Sequence, residues 1–172
     1  LSSLSSPSPL FLFLHVYPSH AIDAYRYFVG DGMETLLRRA APDSLGEEEF
    51  SRLLEPMREE YGKSWAKKSR PYNGIVPMLL ELVEREVILA VLSNKPHEFA
   101  VLAVEHFFPN IHFAKIQGSP RGGKAKPDPS LALDMAREFK LAPGEVIFMG
   151  DSSIDMDTAV AELSAQLPMG KL

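Results

Sequence analysis

Glu145-Val146-Ile147-Phe148-Met149-Gly150-Asp151-Ser152-Ser153-Ile154-Asp155 reads as an apolar strand running into a sharp Gly-Asp turn, with a second carboxylate four positions on. Two acidic groups at a strand tip suit Mg2+, a hard cation that prefers carboxylate and water oxygens. In an open α/β sheet, ligands collect at the carboxyl ends of the strands. The competing reading is an Asp-Ser turn that caps the following helix and does nothing else. The remainder of the chain decides between them.

Outward from this stretch, helix and strand patterns alternate. Ile75 to Arg85 has helical spacing, with Pro77 tolerated in its first turn. Val87 to Leu92 is a short β-branched run, Pro96 to Phe107 is helical, and Ile111 to Ile116 is a second strand candidate. Pro129 to Phe139 is helical, Val146 to Met149 is the strand quoted above, and Ile154 to Leu163 is helical. Such alternation implies βαβ units and a parallel, Rossmann-like sheet in an α/β protein.

Upstream of Arg70-Pro71-Tyr72-Asn73-Gly74, a turn by composition, the grammar is helical only. Asp31-Gly32 precedes a helix through Ala40, and Ser44 with Glu47 offers a capping box. A charged helix from Glu47 to Tyr61 follows, with Phe50, Leu53, Leu54 and Met57 on its apolar stripe. Pro56 inside it predicts a kink or two shorter helices. Trp65 is expected to pack within this helical region. Lys63, Lys67, Lys68 and Arg70 read as a solvated face. The expected division is an unassigned tail over residues 1–20, a helical unit over 21–70 and an α/β part over 71–172.

Composition narrows the function classes. The 172 residues are 45% hydrophobic and 24% charged, ordinary for a globular chain. A net charge of −5 argues against a general nucleic-acid or membrane-surface binder. With no cysteine, thiol catalysis, disulfides and zinc-thiolate sites are excluded, which agrees with a cytoplasmic location. No run is long and apolar enough for a transmembrane helix. Leu1 to His20 lacks the basic start of a signal peptide, since no Lys or Arg precedes Arg26, and reads as a disordered tail or a sequence artefact. Five histidines are scattered without a ligand pattern.

Two further junctions carry chemistry. At Val91-Leu92-Ser93-Asn94-Lys95-Pro96 a strand ends and a helix begins, so a hydroxyl, an amide and free backbone N–H groups meet where a phosphate can sit. The plain alternative is that Ser93 and Asn94 cap the helix. At Gly122-Gly123-Lys124-Ala125-Lys126-Pro127-Asp128-Pro129 a glycine loop leads into a helix start, which holds Lys126 as a point charge for phosphate. The plain alternative is a surface loop with two solvated lysines. With Asp151 and Asp155, these supply the electrostatic parts of phosphoryl transfer.

Ser-Asn-Lys-Pro after a strand, Lys-Pro-x-Pro before a helix and Gly-Asp-Ser-x-x-Asp after a strand resemble the second, third and fourth motifs of the haloacid-dehalogenase-like hydrolases. Phe28-Val29-Gly30-Asp31-Gly32 before a Leu-Leu helix is similar to the helical cap of phosphoglycolate phosphatases. Arg70-Pro-Tyr-x-Gly-Ile75 is similar to the return from that cap to the core. The resemblance covers His20 to Ala161.

The resemblance implies an α/β core with a small helical cap over residues 21–70, and a Mg2+-dependent phosphatase acting on a small phosphorylated acid or sugar through an aspartyl-phosphate. It implies that Ser93 binds the phosphoryl group with Asn94 beside it, and that Lys126 stabilises charge on nucleophile and phosphoryl group. Asp151 would ligate Mg2+ and Asp155 would support the metal. Closure of the cap would exclude water and select the substrate. A sugar-phosphate mutase of the same fold uses the same motifs, and a phosphate- or Mg2+-binding protein without turnover is the alternative from another class.

The chain also departs from that family. Its first motif, Asp-x-Asp-Gly-Thr, has no match before Val29, and Asp23 is the only acidic residue before Asp31. Neither is assigned as nucleophile. Glu162 onward also leaves the family pattern. The expectation is a core without its first strand and C-terminal elements, impaired in catalysis and marginally stable, because a lost central strand leaves backbone groups unpaired and a gap in the core.

Overall fold

A computed structural model of the chain describes residues 20–67, 69–120 and 123–166. Two kinds of hydrophobic spacing divide them. From Tyr25 to Ser64 the apolar residues recur at helical intervals. A single 3-10 turn at Ile22–Ala24 leads into α1 (Tyr25–Phe28), α2 (Met33–Ala40) and α3 (Glu47–Ser64). Leu36, Leu37 and Ala40 of α2 face Phe50, Leu53 and Met57 of α3, and with Tyr25 they form one buried cluster. Apolar side chains on two helices have no partner but each other in water, and this removal of surface holds the short helices in place.

Helix α3 departs from expectation at both its start and its middle. Ser44 does not cap it. The cap position is Gly46, without a side-chain bond. Glu47, the expected partner of Ser44, instead accepts two hydrogen bonds from the Arg38 guanidinium, at 2.9 and 3.0 Å. Both groups are well exposed, so solvent screening leaves this pair little weight in the stability of the helix. Glu47, Glu48 and Glu49 in the first turn complement the positive end of the helix. Pro56 lies inside the helix without dividing it: Leu53 and Met57 on either side are buried, and that packing carries the helix through the missing amide.

Beyond Gly74 the chain becomes α/β. Helix α4 (Ile75–Glu84) is followed by β1 (Ala90–Pro96), α5 (His97–Phe107), β2 (Lys115–Ser119), α6 (Ser130–Glu138), a 3-10 turn at Pro143–Glu145 and α7 (Ser153–Gln166). The two strands pair in parallel, with Ala90 opposite Lys115 and Leu92 opposite Gln117, and the register shifts before Pro96 meets Ser119. Helix α5 links them and packs on both. Parallel strands joined through a helix establish the expected α/β class.

The strands sit later in the chain than the apolar runs predict. Val87 and Ile88 are half exposed, pairing runs from Ala90 to Leu92, and the strand continues through Ser93 and Asn94 to Pro96 across a register shift. Val146 to Met149, expected as a strand, forms none among the described residues. Its Ile147 is 90% exposed and its Met149 68%. A ladder needs a neighbour, and β propensity alone supplies none. Helix α4 likewise buries none of its residues, leaving Val76, Leu80 and Val83 partly in water. The expected tail over residues 1–20 lies, apart from His20, outside the described residues.

The helical unit meets the α/β part along α3 and α5. Tyr61 stands edge-on to Phe99 at 4.9 Å between ring centroids, and Arg58 pairs with Glu98. Trp65, expected among the N-terminal helices, lies 5.4 Å from the His106 ring and 6.0 Å from Phe107, both on α5. Its ring gains more burial at this junction than on the polar outer side of α3.

Two stability outcomes follow from the packing. Met57 is fully buried, so Met57→Ala should lower the free energy of unfolding by about 2–5 kcal/mol in urea titrations. A β-carbon at Gly118 would fall 2.4 Å from His97 Cα and 2.7 Å from the Lys95 carbonyl oxygen. Backbone atoms on both sides cannot yield cheaply. Gly118→Ala should therefore cost about 1–3 kcal/mol in the same titration.

Candidate active site

Three segments converge at the end of β1. Asn94 is 7% exposed, and its carboxamide binds in three directions. Nδ2 donates to the Gly30 carbonyl at 3.0 Å and to the Lys126 carbonyl at 2.8 Å, while Oδ1 accepts from the Lys126 amide at 2.8 Å. The expected role of Asn94 was to stand beside Ser93 at a phosphate. In the structure its amide is spent on holding the Lys126 loop and the turn into α2 against the strand.

Lys126, which precedes a cis peptide bond to Pro127, is fixed at its other end too. Nζ donates to the Leu92 carbonyl at 3.1 Å and to Asp155 Oδ1 at 2.6 Å. The side chains of this ion pair are 12% and 7% exposed. Asp155 Oδ2 accepts from the Ser152 hydroxyl at 2.6 Å and from the Ser152 amide at 3.1 Å. Burial pushes the Asp155 carboxyl up, but the Lys126 ammonium and the two Ser152 bonds outweigh it and hold the group below its ordinary value. Room for this carboxylate exists because residue 150 is glycine: a β-carbon there would lie 2.1 Å from Asp155 Cγ.

Ser93 is half-buried in β1, and its Oγ accepts from the Lys95 amide at 3.1 Å. That turn opens the chain toward α5 and leaves the hydroxyl proton available to a ligand oxygen. Asp151 stands apart from Asp155. It is exposed, and its Oδ2 accepts a hydrogen bond from the Tyr72 hydroxyl at 3.1 Å. In the sequence Tyr72 stood out only as part of the Arg70-Pro-Tyr-x-Gly-Ile75 turn, with no signal for this contact.

The donor chemistry fits a divalent cation at one carboxylate only. Among the described residues no three His, Asp or Glu side chains converge as metal ligands. Both oxygens of Asp155 are engaged by Lys126 and Ser152, so in this arrangement it serves the lysine. Asp151 offers an exposed carboxylate, and Mg2+ commonly takes one or two carboxylates and keeps several waters.

The arrangement therefore presents a lysine with its position fixed at both ends, a serine hydroxyl on the adjoining strand and an exposed carboxylate nearby in sequence to the lysine's partner. The Lys126–Asp155 pair is buried, so Asp155→Ala should strand the ammonium and destabilise the chain by about 3–5 kcal/mol in denaturant titrations. The folded carboxyl lies below its unfolded value, so its contribution is complete above that value and lost as the pH falls through the folded one. Thermal melts of wild type should lose stability as the pH drops below about 4, and Asp155→Asn should flatten that acid limb.

Comparison with known proteins places this geometry. Residues 12–162 match the family model described as haloacid dehalogenase-like hydrolase. Phosphoglycolate phosphatase 1 of Pseudomonas aeruginosa is 31% identical over 149 residues, covering 84% of this chain and 54% of that protein. A phosphoglycolate phosphatase of Mesorhizobium japonicum is 32% identical over 143 residues, covering 80% and 62%. The chain thus spans little more than half the length of these two relatives. The crystal structure of a predicted phosphoglycolate phosphatase from Haemophilus somnus 129pt superposes with a TM-score of 0.83 at 25% identity, covering 91% of this chain and 72% of that one. With the family model matched over most of its length, and with the three motifs gathered around Lys126, this chain belongs to the haloacid dehalogenase-like hydrolases.

Proposed function

We propose that this chain carries the phosphate-handling residues of a Mg2+-dependent phosphomonoesterase that acts on a small phosphorylated organic acid, of which 2-phosphoglycolate is the model. The observation that carries the reading is the Lys126 ammonium, held at 2.6 Å from Asp155 and 3.1 Å from the Leu92 carbonyl. A cation fixed in this way stabilises charge on a transferring phosphoryl group without having to reorganise. The names of the relatives support the substrate class.

In this reading Ser93 donates its hydroxyl to a phosphoryl oxygen, and Lys126 neutralises a second. Asn94 keeps both in register by clamping the Lys126 backbone to β1. Asp155 orients the Lys126 ammonium through its Oδ1. Asp151 would hold Mg2+, which when bound supplies charge neutralisation at the phosphate. The family resemblance gives the attack on phosphorus to an aspartate of the first motif, whose expected place over residues 1–19 lies outside the described residues. Residues 21–70 act as the cap, and Gly30 at its base is held to Asn94. No helix among the described residues is long and apolar enough to cross a membrane, and a cytoplasmic location is part of this proposal.

The alternative of a binding protein without turnover rests on one observation: Asp155 is the carboxylate that engages Lys126 among the described residues, and it sits in the fourth motif rather than the first. Phosphate release from 2-phosphoglycolate, assayed with Mg2+ and with a chelator, separates the two. Turnover should require the metal, and Lys126→Ala should reduce kcat by about 100- to 1,000-fold. Asp151→Asn should raise the Mg2+ concentration needed for half-maximal rate. Absence of phosphate release from the wild-type chain at saturating Mg2+ leaves the binding protein as the surviving reading.

A further inference from the structure

Two lysines flank the end of β1, and their charges are treated differently. Lys126 is neutralised by Asp155. Lys95 makes no ion pair among the described residues, although it is half-buried. Its Nζ donates to the Tyr61 hydroxyl and lies 4.7 Å from the centre of the Tyr61 ring. The nearest acidic residue along the chain, Glu98, pairs with Arg58. Glu98 is thus engaged by Arg58, and the Lys95 ammonium is directed at the Tyr61 hydroxyl instead.

A phenol fixes the direction of an ammonium but leaves its charge unspent. A half-buried cation keeps its field because water screens it less than at the open surface. Lys95 also shares a turn with Ser93, since its amide donates to Ser93 Oγ at 3.1 Å. The cation therefore starts two residues from the hydroxyl assigned to the phosphoryl group and reaches toward the cap helix. Lys126 meets the same strand end from the opposite loop and is already paired.

We infer that Lys95, positioned by Tyr61, is a specificity-determining residue that holds a carboxylate on the far end of the phosphorylated substrate. The assignment rests on the phosphatase reading above and deepens it. Ser93 and Lys126 hold the phosphoryl group, and Lys95 selects molecules that carry a second negative charge beside the cap. Tyr61, 6% exposed and packed edge-on against Phe99, anchors the Lys95 ammonium through its hydroxyl.

Two phosphonates that phosphatases cannot hydrolyse provide the test. 3-Phosphonopropionate carries a carboxylate where propylphosphonate carries a methyl group. Calorimetric titration of the full chain with Mg2+ should show the carboxylated ligand binding about ten- to a hundredfold more tightly. Lys95→Met should bring that ratio close to one, and Lys95→Arg should keep most of it. Tyr61→Phe should lower the ratio while circular dichroism reports an intact fold. A wild-type ratio near one, or a ratio that Lys95→Met leaves unchanged, overturns the assignment. If both ligands bind with the expected ratio but 2-phosphoglycolate releases no phosphate, the phosphatase reading fails and Lys95 stands as an anion-selecting residue. If phosphate is released but the two ligands bind equally, the phosphatase reading stands and the role of Lys95 falls. Failure of both ligands to bind rejects both.

Discussion

A single buried carboxamide ties together segments 64 and 32 residues away from it. Asn94 gives its two amide protons to carbonyls at Gly30 and Lys126, and takes the Lys126 amide on its oxygen. A buried polar group is costly unless it is satisfied, so the three partners can move only together. The turn into α2, the end of β1 and the loop before α6 are thereby held as one unit. The position of Lys126, and through it that of Asp155, depends on this knot.

Around the knot, two layers of different chemistry meet. The helical unit owes its shape to the cluster from Tyr25 to Met57. Its attachment to the α/β part depends on aromatic edges and one charge pair along α3 and α5. Both helices belong to the same junction as Lys95, which lies near the end of β1. A displacement of α3 along α5 would therefore move the Tyr61 hydroxyl and reorient the Lys95 ammonium, while Asn94 kept Lys126 where it is. The phosphoryl end and the far end of the site are supported by different parts of the fold.

Much of this was legible before the structure. Helical spacing identified α2, α3, α5 and α6, because each buries apolar residues that its own spacing encodes. It identified α7 too, although among the described residues those it buries are Asp155 and Thr158. The α/β class followed from their alternation with short β-branched runs, and Ser93, Asn94, Lys126 and Asp155 were all singled out from local motifs. What escaped depended on neighbours distant in the chain. Val146 to Met149 has the residues of a strand, but a strand is a relation between two segments. Trp65 reads as part of its own helix, and only the packing of α3 on α5 turns it toward His106. Pro56 breaks a helix in isolation, and burial of Leu53 and Met57 overrides it. Asp155 was expected to support a metal, and the contacts of its oxygens with Ser152 and Lys126 could not be read from its motif. Tyr72 is invisible from sequence because its partner, Asp151, is 79 residues away.

Gly150 is the residue whose smallness admits the Asp155 carboxylate. A side chain of any kind at that position would occupy the space of a functional group five residues along. In the history of such a protein the two sites would then not drift independently. A change at 150 would act as a lesion at 155, in the lysine it restrains and in the charge that lysine presents. Selection acting on the acid would be recorded as invariance of a residue that bears no functional group at all.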